Sequence, residues 1–374
     1  MRLLQGFILL SILFFSTNLF AQANDATRVG GYGEISYTDP DGVVHGTLDI
    51  PRFVLFLSHQ FSDTWSMKSE IEVEHVRVEP SRPGGELEIE QAFADYHASK
   101  AFGLRAGLIL IPSGIINQTH EPTTFNSVAR PHVDQDVIPS TWRELGVGAY
   151  GDLGEYFRYQ VEVTEGMNAS GYSSVGIYEG KQEGALSDPT SPGLSAKIDV
   201  LPMLGIRIGA SIYYQSNTAA ALPLDSLGRA SSVVSPLTVA ALDVRVDEGN
   251  AHLRAEYAAD IIGSAQELGV TLGEAIPKNV SGYYAELSYN VLGLTQLDAE
   301  LSPFVRYESV MREWPAAAAI KDQSWVIAGL ALRPVEGLIF KLDYEWSKEP
   351  ISFSGGPTTG NAKGLLGLGI GYAF

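Results

Sequence analysis

Along residues 63–79 charged side chains alternate as Lys68, Glu70, Glu72 and Glu74, out of phase with Trp65, Met67, Ile71 and Val73. In an extended chain successive side chains point to opposite faces, so these four charges form a ladder on one face of a strand. Such a row can bias an aqueous passage by sign, or be ordinary solvated wall. A second concentration lies in the segment 112–140, which opens with Pro112-Ser113-Gly114 and carries His120, Glu121, Arg130, His132, Asp134 and Asp136. A stretch of this length without a strand pattern is usually functional or disordered. Its Ile115, Ile116, Phe125 and Val128 need a surface to pack on, which favours folding inward.

Other combinations are weaker. His97-Ala98-Ser99 puts a His two residues before a Ser on one strand face, as a hydrolytic strand would, but no Asn between Ser99 and Asn117 can orient the histidine. No G-x-S-x-G elbow exists. The acidic pairs Asp39-Pro40-Asp41 and Asp134-Gln135-Asp136 could help hold calcium, although such short pairs are commonly solvated turns. Gly364, Gly367, Gly369 and Gly371 mimic a nucleotide fingerprint without the helix that must follow it. No cofactor or metal is expected from these patterns.

Strands must position these residues. Alternating segments run over about 29–38, 45–60, 63–79, 86–99, 102–111, 141–151, 155–165, 193–201, 205–216, 237–247, 250–262, 280–291, 299–310, 324–333, 337–348 and 363–374, about sixteen in all. Tight turns such as Phe61-Ser62-Asp63-Thr64, Asp152-Leu153-Gly154 and Glu248-Gly249-Asn250 fall at every second junction. Long connections lie between them: 112–140, 166–192, 217–236, 263–279, 311–323 and 349–362. Short turns alternating with long loops are the expected topology of an antiparallel barrel closed across a membrane, with both termini at the short-turn end.

The faces agree with that reading. Phe157, Tyr159, Val161 and Val163 share one parity against Arg158, Gln160, Glu162 and Thr164; Leu338, Phe340, Leu342, Tyr344 and Trp346 oppose Lys341, Asp343 and Glu345. The first set should meet lipid and the second water. Further inward candidates are Arg52, Lys197, Asp199, Arg207, Arg245, Arg254 and Glu256. Trp65, Trp325, Tyr344, Trp346 and Tyr372 lie near strand ends, where amphipathic rings prefer the membrane boundary.

At the amino-terminus Arg2, the apolar stretch Phe7–Phe15 and Ala21-Gln22-Ala23 make a secretory leader over 1–23, which leaves residues 24–374 as a single barrel domain. The absence of cysteine excludes a lipoprotein anchor and a disulfide framework. With only 18% charged residues and a net charge of −19, the chain is poor in charge for a soluble protein and lacks the basic surface a nucleic-acid partner needs.

The final segment pairs Leu366, Leu368, Ile370, Tyr372 and Phe374 against Gly367, Gly369, Gly371 and Ala373. It resembles the last strand of bacterial outer-membrane barrels, which ends on an aromatic residue. Within the chain, Ala92-Phe93-Ala94-Asp95-Tyr96, Leu104-Arg105-Ala106-Gly107-Leu108, Ile111-Pro112-Ser113-Gly114 and the return Arg143-Glu144-Leu145-Gly146-Val147 look like the phosphate-selective porin family, convincingly over residues 85–165. That resemblance implies a sixteen-stranded trimeric channel whose third loop folds into the pore, passing small hydrophilic solutes or ions. Arg130 is the only fixed cation of the loop, beside Glu121, Asp134 and Asp136, so a general or weakly cation-preferring pore fits the residues. The expected constriction is His120, Glu121, Arg130, His132, Asp134 and Asp136, with Lys68, Glu70, Glu72 and Glu74 on the wall. A phospholipase-like barrel enzyme and a plugged structural or adhesive barrel are the alternatives.

Overall fold

The computed structural model describes residues 26–42, 45–77, 84–222, 231–315, 320–349 and 363–374; the leader expected over 1–23 lies outside the described residues. Seventeen antiparallel strands make one sheet. They are β1 (Thr27–Pro40), β2 (Thr47–Asp49), β3 (Arg52–Gln60), β4 (Trp65–Arg77), β5 (Gly84–Ser99), β6 (Phe102–Leu110), β7 (Arg143–Leu153), β8 (Phe157–Thr164) and β9 (Gly193–Met203). The rest are β10 (Ile206–Gln215), β11 (Leu237–Glu248), β12 (Ala251–Ile262), β13 (Asn279–Tyr289), β14 (Glu300–Glu313), β15 (Ile320–Val335), β16 (Leu338–Ser347) and β17 (Gly364–Ala373).

The last strand returns to the first. Tyr32 faces Ala373 and Pro40 faces Leu365, which closes the sheet into a cylinder. Closure satisfies the backbone of every edge, the condition for strands to cross hydrocarbon. β2 and β3 are one stave of this cylinder, interrupted at Ile50-Pro51. Ser36 pairs with Asp49 but Gly33 with Phe53, one residue more than an unbroken register allows. Pro51 cannot donate to the ladder, so the bulge falls there. The barrel therefore has sixteen staves.

The expected connection 311–323 is shorter than anticipated, because β14 continues to Glu313 and β15 begins at Ile320. Between β13 and β14 the short-turn end carries an ordered excursion instead of a tight turn. Asn290 Oδ1 closes it, accepting from Leu292 N at 3.1 Å and Leu301 N at 3.2 Å.

The outward parity is apolar all the way round. Leu104, Val147, Val161, Ile212, Leu242, Tyr283, Val305, Leu330 and Phe340 are all exposed, a continuous belt that no soluble fold of this size would leave bare. The faces read from residues 155–165 and 337–348 hold, with Glu162, Lys341, Asp343 and Glu345 buried inside and Phe157, Val161, Phe340 and Trp346 outside. Trp65 and Trp346 are half exposed, as boundary rings should be. Trp325 corrects the aromatic assignment: it shares its parity with Gln323 and Ile327 and is buried in the lumen, while Val326 and Leu330 face out.

The loop 112–140 folds into the barrel. Ile111, Ile115, Ile116, Phe125, Val133, Val137 and Ile138 are buried, in one apolar core with Met167, Tyr172 and Ile177 of the next long loop and with inward wall residues Tyr213, Val239, Val280 and Ile327. The lumen is thus not lined by polar groups alone. At the long-loop end its inner wall is apolar where loops pack on it, and polar below.

Candidate functional site

The inserted loop is clamped at its neck. Asn117, fully buried, donates from Nδ2 to Ile111 O (2.7 Å) and Trp142 O (2.9 Å) and accepts from Trp142 N (2.7 Å), tying the loop's entry to its exit. Gly114 has φ +58, and a Cβ there would lie 2.2 Å from Glu256 Oε1, so only glycine lets the chain cross at this point. Glu256 Oε2 accepts from Ile115 N (2.8 Å), and Lys197 donates to Gly114 O. The P-x-G motif therefore marks where the chain leaves β6 and passes against β9 and β12.

The loop then reaches the far wall. Asn126 donates to Glu286 (2.9 Å), Arg333 to Asn126 Oδ1 (3.0 Å), Lys341 to Ser127 O (2.8 Å), and Val128 N to Asp343 (2.5 Å). Lys341 Nζ also stands 3.7 Å over the Phe125 ring. Arg306 joins Ser127 Oγ, Glu286 and Glu308, and Glu308 accepts from His132 N (2.5 Å). Charge-assisted bonds of this kind are stronger than neutral ones, and here they are buried.

The expected site residues form two groups rather than one ring. His120, Glu121 and Arg130 belong to the near wall. His120 Nε2 is 3.5 Å from Glu90 Oε2, Arg130 donates to His120 O (3.4 Å), and Glu121 and Glu70 border a cavity. His132, Asp134 and Asp136 belong to the far wall. His132 Nε2 lies 3.2 Å from Glu345 and its ring stacks on Trp325 at 3.8 Å between centroids; Asp136 pairs with Arg312 at 3.1 Å; Asp134 is fully buried. Burial would lower the His132 pKa, but Glu345, Glu308 and Asp136 prevail and push it up to about 9. Asp134 is pushed up to about 7, first by burial and then by Glu308.

The wall ladder is partly withdrawn from water. Lys68 and Glu70 face the cavity, whereas Glu72 is buried at 3.5 Å from Arg52 and Glu74 lies 4.0 Å from the same guanidinium. Arg52 also bonds Glu34 at 2.8 Å. Sequence reasoning missed Glu90 for an identifiable reason. A bulge makes Glu70 face Gln91 and Ile71 face Ile89, so the strand's parity changes and both Glu90 and Gln91 point inward. It also missed Glu286, Arg306, Glu308 and Arg333, whose strands read correctly but whose partners lie across the lumen, and Arg312, which falls in the expected connection 311–323 but lies on β14.

Below the loop a cavity of about 730 Å³ opens toward the short turns. Lys68, Lys100, Arg105, Arg158, Lys197, Arg207 and Arg245 line it, against Glu70, Glu121 and Asp152. Arg158 is paired with Asp152 (3.0 Å) and Arg207 with Asp199 (2.6 Å), while Arg105 lies 4.2 Å over the Tyr150 ring. His97 also lines this cavity and Ser99 is exposed at the strand end. Of the acidic pair Asp39 and Asp41, Asp41 accepts from Tyr344 OH.

No family model matches the chain. An uncharacterized protein of Aquifex aeolicus is 31% identical over 297 residues, 77% of this chain and 67% of the relative. Among solved structures, OmpF of Salmonella typhi, in complex with daunomycin, superposes with a TM-score of 0.62 at 10% identity, covering 93% of this chain and 97% of that one. An anion-selective porin from Comamonas acidovorans gives 0.58 at 11%, covering 93% and 99%. The outer-membrane channel DcaP of Acinetobacter baumannii gives 0.57 at 13%, covering 93% and 97%. The fold is that of bacterial outer-membrane porins.

Proposed function

The chain belongs to the same family as the Aquifex aeolicus protein, and from its porin barrel we propose that it is a passive outer-membrane channel for small hydrophilic solutes or ions, narrowed by the loop 112–140. The observation that carries this reading is the loop's seating: it enters the lumen at Gly114 and is anchored on the opposite wall at Ser127, Val128 and His132. A solute must pass what the loop leaves open. Selection then works by width and by the field of fixed charges, which low-dielectric walls focus. His120, Glu121, Arg130, His132, Asp134 and Asp136 shape the narrowing, with Lys68, Glu70, Glu72 and Glu74 on the near wall.

We infer an anion preference in place of the weak cation preference suggested by the loop's own residues. The loop acids face wall cations, Asp136 against Arg312 for one, while the cavity below is lined by seven basic side chains against Glu70, Glu121 and Asp152, with Asp199 and Asp243 behind Lys197, Arg207 and Arg245. Members of the phosphate-selective family concentrate such cations, so the resemblance over 85–165 extends to the cavity's chemistry. A homotrimer follows from the same resemblance, and the removal of a leader over 1–23 from the outer-membrane location.

Reversal potentials of the purified protein in a salt gradient test the preference; a cation-selective potential refutes it. Deleting residues 115–139 should raise single-channel conductance, and an unchanged value refutes the narrowing. One observation favours a second reading, a plugged structural barrel: the apolar core runs without a break from the inserted loop to the neighbouring loops and inner wall. That reading requires the wild type to conduct nothing while the deletion conducts.

A further inference from the structure

We propose that His120, Glu90 and Glu70 bind one divalent transition-metal ion where the inserted loop meets the barrel wall. One ligand atom from each lies within 4.8 Å of the other two. His120 Nε2 and Glu90 Oε2 are 3.5 Å apart, close to the edge of about 3.4 Å that two ligands subtend in a tetrahedral site with bonds of about 2.1 Å. Glu70, with a ligand atom within 4.8 Å of the other two, is the third member of the face. Its position at the cavity border leaves the fourth place open to water or to the Glu121 carboxylate.

The histidine is already oriented as a ligand. Its Nδ1 lies 3.1 Å from Asn117 O, and a carbonyl can only accept, so Nδ1 carries the hydrogen and Nε2 is left to point at the carboxylates. Asn117 is itself fixed by its three bonds across the loop's neck. Glu90 is held by Tyr32 OH on Oε2 (3.3 Å) and by Thr141 Oγ1 on Oε1 (3.0 Å). A bare ring nitrogen facing a carboxylate puts lone pair against lone pair, which a metal ion between them, or a proton on Nε2, relieves. His120 is 97% buried, and among the described residues neither its Nε2 nor Glu70 Oε2 has a hydrogen-bond partner.

The surroundings select the class of ion. Glu70, Glu90 and Glu121 gather here with Glu72 behind them, and the guanidinium groups of Arg52 and Arg130 lie beside the cluster. One imidazole with two or three carboxylates suits Zn²⁺, Co²⁺ or Mn²⁺, whereas Ca²⁺ and Mg²⁺ prefer oxygen alone. Entry is direct, since Glu70 and Glu121 line the large cavity. The ion would pin the first half of the loop to β4 and β5, independently of the far-wall anchors and of what the channel passes.

The test uses the full chain in detergent, stripped with chelator and titrated with Zn²⁺ by calorimetry, with Ca²⁺ as the contrasting ion. Zn²⁺ should bind at one per chain, and both Glu70→Gln and His120→Gln should weaken it by about 100-fold or more. Co²⁺ should give the visible absorption of a nitrogen-ligated ion in the wild type and lose it in both variants. Glu70→Gln keeps the side chain's shape at the cavity border, and heat-dependent mobility on gels confirms that each variant folds. Three results overturn the proposal. They are a wild type that takes up no stoichiometric Zn²⁺, as a site holding only a proton on His120 would behave; Zn²⁺ retained by both variants, which assigns it to exposed histidines such as His75 or His252; and Ca²⁺ bound more tightly than Zn²⁺.

Discussion

Replacing Arg306 by Met should loosen the inserted loop without opening the barrel. The guanidinium is 2% exposed, lies 3.1 Å from Glu286 and 2.5 Å from Glu308, and also bonds Ser127 of the loop. Both carboxylates bond the loop as well, Glu286 through Asn126 and Glu308 through His132 N. Removing one partner of a buried pair costs about 3–5 kcal/mol, because the other charge is left unpaired in a dry site. That shifts the ratio of seated to unseated loop by roughly a hundredfold to a few thousandfold. Burial of Ile115, Ile116 and Phe125 opposes release with roughly 5–9 kcal/mol. The apolar term is larger, so the loop should remain seated on average and leave more often. Single-channel recordings of Arg306→Met should then show brief upward excursions of current that the wild type lacks, with a modest rise in mean conductance. Neutralising the stranded acids in Arg306→Met/Glu286→Gln/Glu308→Gln should remove most of the excursions. If the single variant folds, as judged by heat-dependent mobility, and its trace matches the wild type in mean and noise, these anchors do not control the current. If the triple variant is as noisy as the single one, the unpaired charge is not the cause.

A Cβ at Gly371 would lie 2.9 Å from both Pro122 Cβ and Ile339 Cγ2, so Gly371→Val should push the loop off β17 at a cost of about 1–3 kcal/mol, read as a lower unfolding temperature and a noisier channel. Loop seating should also weaken as pH rises. Asp134 binds its proton more tightly in the folded chain, about 7 against the usual 3.8, so its contribution is complete below 3.8 and lost on passing through about 7. His132 acts in the same direction at higher pH, complete below 6.5 and lost through about 9. Current noise should therefore increase in two steps between about pH 4 and 9, with the upper step absent in His132→Gln; noise that falls over this range contradicts both assignments. Asn117→Ala should leave Trp142 N unpaired at the loop's neck, while Ile111 O keeps Ser113 N and Trp142 O keeps Ile111 N, and cost about 1–3 kcal/mol, seen as earlier proteolysis of the 112–140 segment than in wild type.

How far the sequence could be read follows from the range of each interaction. Strand positions and faces depend on alternation within one segment, so residues 155–165 and 337–348 were legible to single-residue parity, and the sixteen staves followed from turn spacing. Parity failed where one residue was inserted. The bulge at Glu90 and Gln91 turned a carboxylate inward that alternation places outside, and Ile50-Pro51 broke a stave in the same way. Trp325 lies near a strand end, where rings favour the membrane boundary, but its parity with Ile327 turns it into the lumen. The loop's apolar residues announced that it packs, but not on what. Ser127 and Lys341, or His132 and Glu308, are far apart in the chain, and no local pattern encodes a meeting across the lumen.

The small-residue face of β17 shows the two levels joining. Read alone, Gly367, Gly369 and Gly371 opposite Leu368 and Ile370 say only that one face meets lipid and the other has no bulk. In the barrel that face is where the inserted loop lies. A Cβ at Gly367 would stand 3.1 Å from Val128 Cγ2, one at Gly369 3.4 Å from the same atom, and one at Gly371 2.9 Å from Pro122. The neighbouring strand β16 supplies Lys341 and Asp343, which bond Ser127 O and Val128 N. Glycine gives closeness and the adjacent charges give attachment, so the closing stave and its neighbour form the seat of the loop. A barrel that only had to enclose water would gain nothing from three alternate glycines, each weakening the strand by roughly 0.5–1 kcal/mol relative to alanine. Their presence fits a lumen built around the segment that crosses it.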